Sequence, residues 1–511
     1  MLQQNSYITT PIYYVNGSPH IGHAYTSVAA DVLARWLRSC GRDVFFSTGT
    51  DEHGQKIEKA AKDLGKDVKQ FCDDVSEEFR HLAKELRISQ DYFIRTTEDG
   101  HKKIAQKVWS RLFENGFIYK GKYEGWYAIR DEAFYSEKEI INGKAPTGAD
   151  VEWRSEEAYF FKLSAFEKIL QEIYSSNQSF IKPSSRMNEV VSFVSSGLND
   201  LCLSRSNFSW GVVVPNDNEH VMYVWLDALV NYISLLGYRG ADNYNKFWLN
   251  KDSFKLHLVG KDILRFHAVY WPAFLIAETL SLTELENGNY NLQDIMKNLP
   301  SQIFAHGWWT KDGEKMSKSL GNVVNPFDLI NTYGVDKFRY FLLASAPFGK
   351  DANFTDEDFV SKTNADLVNN FGNLVQRTLS IIHKNFNGRI HLDNLPEYIK
   401  QDDLFTVNLK KLIEEDMQNL AFDRAIASII SYSSKANEFI DRLAPWKLVK
   451  EDRVKAQEVL YLLCYAMTQV ADCLCCFAPE FYLKFQQMFK TADFANYNIA
   501  INPPEILFSR V

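Results

Sequence analysis

Two lysines three residues apart, Lys315 and Lys318, are the side chains in this sequence best suited to hold phosphate. They stand in the stretch Lys315-Met316-Ser317-Lys318-Ser319, directly after an Asp-Gly pair that is typical of a turn. A lysine ammonium is a compact, adjustable point charge that pairs well with phosphate oxygens. This pattern alone predicts only a solvated basic loop, so its chemistry depends on a second group of residues far upstream.

That second group is His20 and His23, with Gly22 between them. Residues 7–15 predict a buried strand, and a turn follows, after which Ser18-Pro19 suit the cap and first position of a helix. A strand, a turn and a helix start present free backbone N–H groups and the positive end of the helix dipole to an anion. We therefore predict a phosphate site here, although either histidine alone would be taken for a surface residue.

The order of predicted elements indicates an α/β fold, with a split Rossmann-like parallel sheet and a C-terminal helical domain. Strands and helices alternate over residues 1–116, with helices expected at about 55–86 and 99–116, and the alternation returns over 223–325. Short aromatic strands between them predict a connective insertion at 117–222. A connecting region is expected at 326–362, and apolar residues at helical spacing predict a helical domain at 363–511.

Composition narrows the class of protein. The chain has 511 residues, 46% of them hydrophobic, and 57 basic against 65 acidic side chains, a net charge of −8. A general DNA binder is not expected from this balance, although a local basic patch can still bind nucleic acid. Seven scattered cysteines, no apolar run of about 20 residues and no basic leader predict a cytoplasmic protein without disulfides or membrane spans.

Together the two groups resemble the paired signatures of the class I aminoacyl-tRNA synthetases. His20-Ile21-Gly22-His23 matches the first signature and Lys315 to Ser319 matches the second. The surrounding residues are most similar to the methionine-specific branch of that family, and the resemblance covers nearly the whole chain. The stretches that carry this similarity are residues 10–17, 49–54, 224–228, 260–262, 266–267 and 270–272.

The resemblance implies a ligase that uses ATP with Mg²⁺ to form methionyl-adenylate and pyrophosphate. It then implies transfer of methionine to the 3′-terminal adenosine of initiator and elongator tRNA(Met). The catalytic residues carried over from the family are His20, His23, Lys315 and Lys318. The ATP-binding residues carried over are Gly22, Gly260, Asp262 and Lys318.

The resemblance also implies two recognition sites. The residues carried over for methionine are Ile12, Tyr14, Asp51, Trp225, Ala228, Leu229, Tyr232, Ile263, His267 and Trp271. Asp51 would pair with the substrate ammonium, while Tyr14 and His267 would contact the sulfur. Without the resemblance, Trp225, Tyr232 and Trp271 would be taken for core aromatics. The anticodon residues carried over are Asn373, Arg377 and Trp446.

The sequence also departs from the family. Many relatives carry zinc-binding Cys-x-x-Cys pairs in the insertion, but no cysteine lies between residues 72 and 202. A structural zinc needs four Cys or His ligands, so we predict no zinc. Leu229 stands where the family often has proline or a small apolar residue. No module follows the helical domain of this chain, which predicts a monomer.

Alternative functions remain at this stage. The insertion, about 105 residues, is too short for the large editing domains of valine, isoleucine and leucine enzymes. A cysteine-specific enzyme would need the missing zinc ligands. A nucleotidyltransferase acting on a small metabolite shares the histidine signature, but the long helical domain argues against it. A non-catalytic tRNA-binding relative is disfavoured because both signatures are intact.

Overall fold

The computed structural model describes residues 4–130, 133–135, 137–316 and 321–510. The chain forms two compact units. The first comprises Met1–Pro19, Leu37–His81 and Ser89–His306, and the second comprises His20–Trp36, Leu82–Ile88 and Gly307–Val511. None of the helices in the described ranges is both long and apolar enough to cross a lipid bilayer.

The first unit is built on strands from both halves of its sequence. In chain order these strands are β1 (Asn5–Tyr14), β2 (Asp43–Asp51), β3 (Tyr92–Arg95), β4 (Ile118–Ala128), β5 (Ala133–Tyr135), β6 (Glu152–Phe161), β7 (Ile181–Lys182), β8 (Leu201–Cys202), β9 (Ser204–Arg205), β10 (Val213–Val214), β11 (Asp217–Met222), β12 (Ser253–Gly260) and β13 (Gln302–His306).

A parallel sheet with the order β3-β2-β1-β12-β13-β7 forms the centre of this unit. The order reverses between β1 and β12, so the two neighbouring strands come from opposite ends of the unit's sequence. Antiparallel pairs in the insertion form two smaller sheets, β5-β4-β6-β8 and β10-β11-β9. The predicted α/β fold with a parallel sheet is confirmed.

Helices alternate with the strands along the chain and continue into the second unit. Up to residue 300 they are α1 (Ile21–Ser39), α2 (Gln55–Asp63), α3 (Val68–Glu85), α4 (Asp99–Glu114), α5 (Glu167–Ser176), α6 (Ser184–Ser195), α7 (Val224–Ser234), α8 (Trp271–Ala277), α9 (Leu282–Glu286) and α10 (Leu292–Lys297). The helical stretch predicted at 55–86 consists of α2 and α3, because the chain turns at Gly65 with φ of +64°, a conformation that glycine adopts without strain.

The second unit is mainly helical. Its helices after residue 306 are α11 (Pro326–Tyr333), α12 (Val335–Ala344), α13 (Asp356–Thr363), α14 (Asn373–Phe386), α15 (Glu397–Lys400), α16 (Asp403–Thr406), α17 (Leu409–Leu412), α18 (Glu414–Gln418), α19 (Phe422–Leu443), α20 (Pro445–Glu451), α21 (Arg453–Leu474) and α22 (Pro479–Gln487). Its strands are β14 (Trp309–Lys311), β15 (Glu314–Lys315), β16 (Ala352–Phe354), β17 (Arg389–His391), β18 (Phe489–Asp493) and β19 (Asn498–Ile501).

A buried ion pair ties α1 to the rest of the second unit. Arg339 on α12 donates to Asp31 on α1 over 2.6 Å, and both side chains are fully buried. Three further guanidinium N–H groups donate to the carbonyl oxygens of Leu86, Cys476 and Phe477. Because four of its five N–H groups have acceptors, the buried guanidinium holds in place the helix that begins next to His20.

Candidate active site

The carboxyl ends of β1, β2 and β12 form the edge of the sheet where ligands bind in open α/β folds. Tyr14 ends β1 beside Asp51, which ends β2, and Gly260 ends the neighbouring strand β12. Ile12 and Tyr14 are half-buried there, and Asp51 is buried. The reversal of strand order between β1 and β12 makes this edge a binding crevice.

Gly260 and Asp262 form one compact corner at the end of β12. A Cβ atom on Gly260 would lie 2.5 Å from Asp262 Oδ1, so any larger residue would push this carboxylate away. Asp262 itself is exposed on the short helical turn Lys261–Ile263. The corner therefore presents a carboxylate to solution at the strand end, a suitable acceptor for sugar hydroxyl groups.

A buried hydrogen-bond chain connects His267 to Tyr232. His267 Nδ1 lies 2.9 Å from the carbonyl oxygen of Ile263, so this nitrogen donates. His267 Nε2 then accepts from the Tyr232 hydroxyl over 2.7 Å. Burial lowers the pKa of His267 to about 4 and raises the pKa of Tyr232 well above its usual value. Both groups are therefore neutral at physiological pH, which suits an uncharged thioether.

His257 completes this cluster and was not predicted as a site residue. Its ring stacks on Tyr232 with centroids 4.0 Å apart. Its Nε2 accepts from the Trp271 indole over 3.3 Å, and its Nδ1 lies 2.8 Å from Thr9 Oγ1. Burial holds the pKa of His257 well below its usual value. The one signal in the sequence was a histidine in the middle of an apolar strand.

The remaining methionine candidates lie around the same cluster. Trp225 stacks on Phe266 with centroids 3.6 Å apart and planes 6° from parallel. Its ring meets His267 edge-on at 6.2 Å. Tyr232 and Trp271 are fully buried, as expected if these aromatic side chains belong to the core. Ala228 and Leu229 are buried on α7. Trp225 and Ile263 are partly exposed, so they offer surface to a ligand.

A second buried polar array, also not predicted, fixes α7. Asp227 Oδ2 lies 2.7 Å from His53 Nδ1, and Asp227 Oδ1 lies 2.8 Å from His101 Nε2. His101 Nδ1 lies 2.8 Å from Ser234 Oγ. Burial would raise the pKa of Asp227, but the charge of His53 and hydrogen bonds from both histidines outweigh burial and hold this pKa below its usual range. The array joins α4 to the helix that carries Trp225.

Glu52 fixes the end of β2, where Asp51 lies. Its buried carboxylate accepts two hydrogen bonds from the Arg95 guanidinium, over 2.6 and 2.8 Å. The hydroxyl groups of Thr50 and Thr97 each donate to it over 2.6 Å. A bidentate, fully satisfied carboxylate of this kind is rigid. The position of Asp51 is thus set by its neighbour in sequence.

In the second unit, the two signature histidines cap the start of α1. The N–H of His20 donates to His23 Nδ1 over 3.1 Å, and the N–H of Gly22 donates to His20 Nδ1 over 3.1 Å. The predicted cap at Ser18 and first position at Pro19 are wrong, because α1 begins at Ile21 and the His20 imidazole accepts from the N–H of its second residue. With each Nδ1 accepting, the Nε2 atoms are the donors.

Gly22 is required by the same arrangement. A Cβ atom there would lie 2.9 Å from Cε1 of His20, so a side chain would displace this ring. The two imidazole rings stack with centroids 3.8 Å apart. The N–H of Ile21 donates to the carbonyl of Val324 over 3.1 Å, which fixes the helix start to the segment after the lysine signature.

Lys315 ends the hairpin β14–β15 on the surface of the second unit. Its ammonium lies 4.6 Å from the ring centroid of Trp308. The side-chain amide of Asn322 donates to the Lys315 carbonyl over 3.3 Å, which joins the two sides of the signature. Asn353 Oδ1 accepts from the Gly313 N–H over 2.8 Å and so holds the turn. Lys318 lies outside the described residues.

Two of the three anticodon candidates contact each other. The Arg377 guanidinium lies 5.3 Å from the ring centroid of Trp446 and pairs with Asp441 over 2.5 Å. Trp446, the second residue of α20, is 42% exposed. Asn373 is exposed at the first residue of α14, one turn before Arg377. The group therefore presents an amide, a guanidinium and an aromatic face to solution.

Across the described ranges, no three His, Cys, Asp or Glu side chains converge as metal ligands. Cys473 and Cys476 are buried and Cys475 is partly buried near the end of α21, where they fill the core.

A split parallel sheet, a histidine-capped helix start and a lysine hairpin together define a class I aminoacyl-tRNA synthetase. The sequence model of the family described as "tRNA synthetases class I (M)" matches residues 6–151 and 145–379. This is more than half of the chain, which therefore belongs to that family. The resemblance predicted from the two signatures is confirmed.

Individual relatives are similar to this chain over nearly its full length. The methionine–tRNA ligase of Rickettsia bellii is 50% identical over 486 residues, 93% of this chain and 90% of the relative. That of Caldanaerobacter subterraneus is 42% identical over 528 residues, 100% of this chain and 79% of the relative. A Mycobacterium tuberculosis methionyl-tRNA synthetase solved with methionyl-adenylate superposes with a TM-score of 0.90 at 38% identity, covering 99% of this chain and 100% of that one.

Proposed function

We propose that this chain activates methionine with ATP and transfers it to the 3′-terminal adenosine of initiator and elongator tRNA(Met). The observation that carries the proposal is the superposition, over 99% of the chain, on a synthetase solved with methionyl-adenylate. That molecule is the product of the first step. The neutral, largely apolar cluster at the end of β1 and β12 supports methionine as the amino acid.

Methionine would lie at the edge of the sheet. Asp51 pairs with its ammonium group, because Glu52 and Arg95 hold this loop in place. The sulfur lies against the partly exposed ring of Trp225, near Tyr14 and the neutral imidazole of His267. Sulfur makes favourable contacts with ring edges. The remaining wall of the pocket is formed by Ile12, Ala228, Leu229, Tyr232, Ile263 and Trp271.

In the activation step, a carboxylate oxygen of methionine attacks the α-phosphorus of ATP. The bond from that phosphorus to the bridging oxygen breaks, and pyrophosphate leaves with the electron pair. Positioning and charge stabilisation supply most of the catalysis in such transfers. His20 and His23 donate from Nε2 to phosphate oxygens, while Lys315 and Lys318 hold the pyrophosphate. Gly22 and Gly260 allow close approach of the nucleotide, and Asp262 accepts from the ribose hydroxyls.

Mg²⁺ would accompany ATP. The side chains in the described ranges do not converge as a dedicated cage, so the ion would be held by phosphate oxygens and water, as Mg²⁺ commonly is. Zinc is not part of the proposal, since the insertion lacks cysteine between residues 72 and 202.

Recognition of tRNA would use the helical part of the chain. Trp446 and the Arg377 guanidinium stack on unpaired anticodon bases, and Asn373 reads a base edge. We assign the domains as 1–116 and 223–325 for catalysis, 117–222 for the insertion, 326–362 for the connection and 363–511 for the anticodon. We further propose a cytoplasmic monomer that binds neither DNA nor membranes, in keeping with the net charge of −8.

Charging of tRNA tests this proposal. Transcripts of initiator and elongator tRNA(Met) are incubated with the purified chain, ATP and labelled methionine, and the acid-precipitable label is counted. Both transcripts should be charged, and a transcript with an altered anticodon should be charged far less. Equal charging of the altered transcript would overturn the assigned role of Asn373, Arg377 and Trp446. Failure to charge either transcript would overturn the proposed activity.

A further inference from the structure

Helix α4 has two different faces. Its inner face is buried and apolar, apart from His101, which binds Asp227. Its outer face carries Lys103, Lys107 and Arg111 at intervals of four residues, and all three side chains are exposed. Residues four apart lie on the same side of a helix, about 6 Å apart along its axis. The outer face is therefore a row of three cations about 12 Å long.

This row lines one side of a cavity of about 650 Å³ in the first unit. The opposite side is formed by Arg239 and by the turn between β10 and β11, which contains Asn216. Gln106 of α4 donates to the carbonyl of Val213 on β10 over 3.0 Å, so the two sides are joined. The cavity is thus a formed concave surface.

The two arginines that line the cavity share one hydrogen-bond acceptor. Arg111 Nε and Arg239 Nη2 both donate to the carbonyl oxygen of Glu278, each over 3.3 Å. Lys103 and Lys107 are not paired with acidic side chains: no carboxylate in the described part of the chain lies within 4 Å of either ammonium. Four cations line the cavity against one lining carboxylate, Glu114. This is a concentrated positive charge in a chain of net charge −8.

We infer that this cavity, the α4 basic cavity, binds the phosphodiester backbone of the bound tRNA. A single small anion cannot reach both ends of a row about 12 Å long, whereas successive phosphates of one strand can pair with successive cations. The longest side chains that line this cavity end in ammonium and guanidinium groups, which pair with phosphate oxygens, so the contact positions the tRNA on the chain. The inference rests on the proposed function, because that function supplies the tRNA.

The test neutralises the two lysines without a carboxylate partner. In the double variant Lys103→Gln with Lys107→Gln, Arg111 and Arg239 keep their contacts to Glu278. The dissociation constant for tRNA(Met) should rise about tenfold near 0.1 M salt, because two phosphate contacts are lost. The slope of log K against log salt should fall in magnitude by about 1.4 to 1.8, from about 0.7 to 0.9 per contact. Lys103→Arg with Lys107→Arg should restore both.

The matched control is Lys168→Gln with Lys251→Gln, which removes the same charge from exposed lysines of the same unit. Its tRNA affinity should equal that of the wild type. Methionine-dependent pyrophosphate exchange, which needs no tRNA, checks that every variant is folded.

Equal tRNA affinity of the cavity variant and the control variant would overturn the inference. Direct binding of inorganic polyphosphate that is lost together with the lysines, while tRNA affinity stays unchanged, would show a polyphosphate site instead and contradict the inference. Absence of exchange in the wild type would count against the proposed function, and not against the cavity.

Discussion

Two groups of histidines in this chain do different work because their surroundings differ. In the first unit, His257 and His267 are buried among aromatic rings, and burial keeps both neutral. In the second unit, His20 and His23 are half-buried at a helix start, and backbone N–H groups fix each Nδ1 as an acceptor. The buried pair provides an uncharged wall, while the helix-start pair provides aimed donors.

The largest effect is expected from the helix-start pair. His23→Ala removes one of the donors that we propose for the reacting phosphates, so kcat for pyrophosphate exchange should fall by about 10²- to 10³-fold, as for loss of one oxyanion donor. The dissociation constant for methionine, measured by calorimetry, should change little. A matched control is His391→Ala, whose side chain is 67% exposed on β17. A parallel loss of methionine affinity in His23→Ala would contradict the assigned role.

The buried pair should instead reveal itself through the pH dependence of stability. His267 has a pKa of about 4 in the folded chain against an ordinary 6.5. Between these values the unfolded chain binds a proton that the folded chain does not. The free energy of unfolding should therefore fall as pH drops from about 6.5 towards 4, by about 3 kcal/mol from this group.

Denaturant unfolding at several pH values measures this contribution. In His267→Gln the decline between pH 6.5 and 4 should be smaller than in the wild type by about that amount. The exposed control His391→Gln should retain the full decline. If His267→Gln and the wild type lose stability in parallel, then burial does not hold His267 neutral.

A smaller effect is expected from the hydrogen bond between Tyr232 and His267. Tyr232→Phe keeps the ring but leaves His267 Nε2 buried without its donor, so the free energy of unfolding should fall by about 1 to 3 kcal/mol. The methionine KM should rise as well, because His267 loses a contact that fixes its ring. Tyr290→Phe, which removes a hydroxyl that contacts the partly exposed Glu172, is the matched control. Equal changes in the free energy of unfolding and in the methionine KM of both variants would show that the hydrogen bond between Tyr232 and His267 contributes no more than an ordinary surface contact.

The smallest effect is expected at the surface hairpin. Trp308→Ala removes the ring that lies under the Lys315 ammonium, a contact worth about 0.5 to 1 kcal/mol at an exposed site. The KM for ATP in the exchange reaction should rise about three-fold, and Trp308→Tyr should recover most of the loss. Identical kinetics for the alanine variant and the wild type would show that Trp308 does not position Lys315.

The sequence was most informative where a signal is local. Alternation of strands and helices predicted the parallel sheet, and β1 begins and ends within two residues of its predicted bounds. The helix start was misplaced because the usual capping residues are Ser, Thr, Asp and Asn, whereas this helix is capped by two imidazoles. That arrangement depends on ring orientation, which residue spacing does not specify.

Partners far apart in sequence could not be predicted in this way. Asp227 meets His53 and His101 across 174 and 126 residues. No pattern along the chain specifies such pairs, because they arise only when α4 and the segment between β2 and α2 pack against α7. The same holds for His257, whose contacts to Thr9 and Trp271 join three elements. By contrast, Arg377 and Trp446 were named through the resemblance, and the structure brings them together.

The most direct test of the account is amino-acid-dependent exchange of labelled pyrophosphate into ATP by the purified chain, with each amino acid supplied in turn. Exchange that depends on methionine, and is weak with cysteine and isoleucine, is the predicted result. Exchange driven by cysteine or isoleucine instead would contradict the assignment of the neutral cluster around His267 to a thioether. No exchange with any amino acid would contradict the account as a whole.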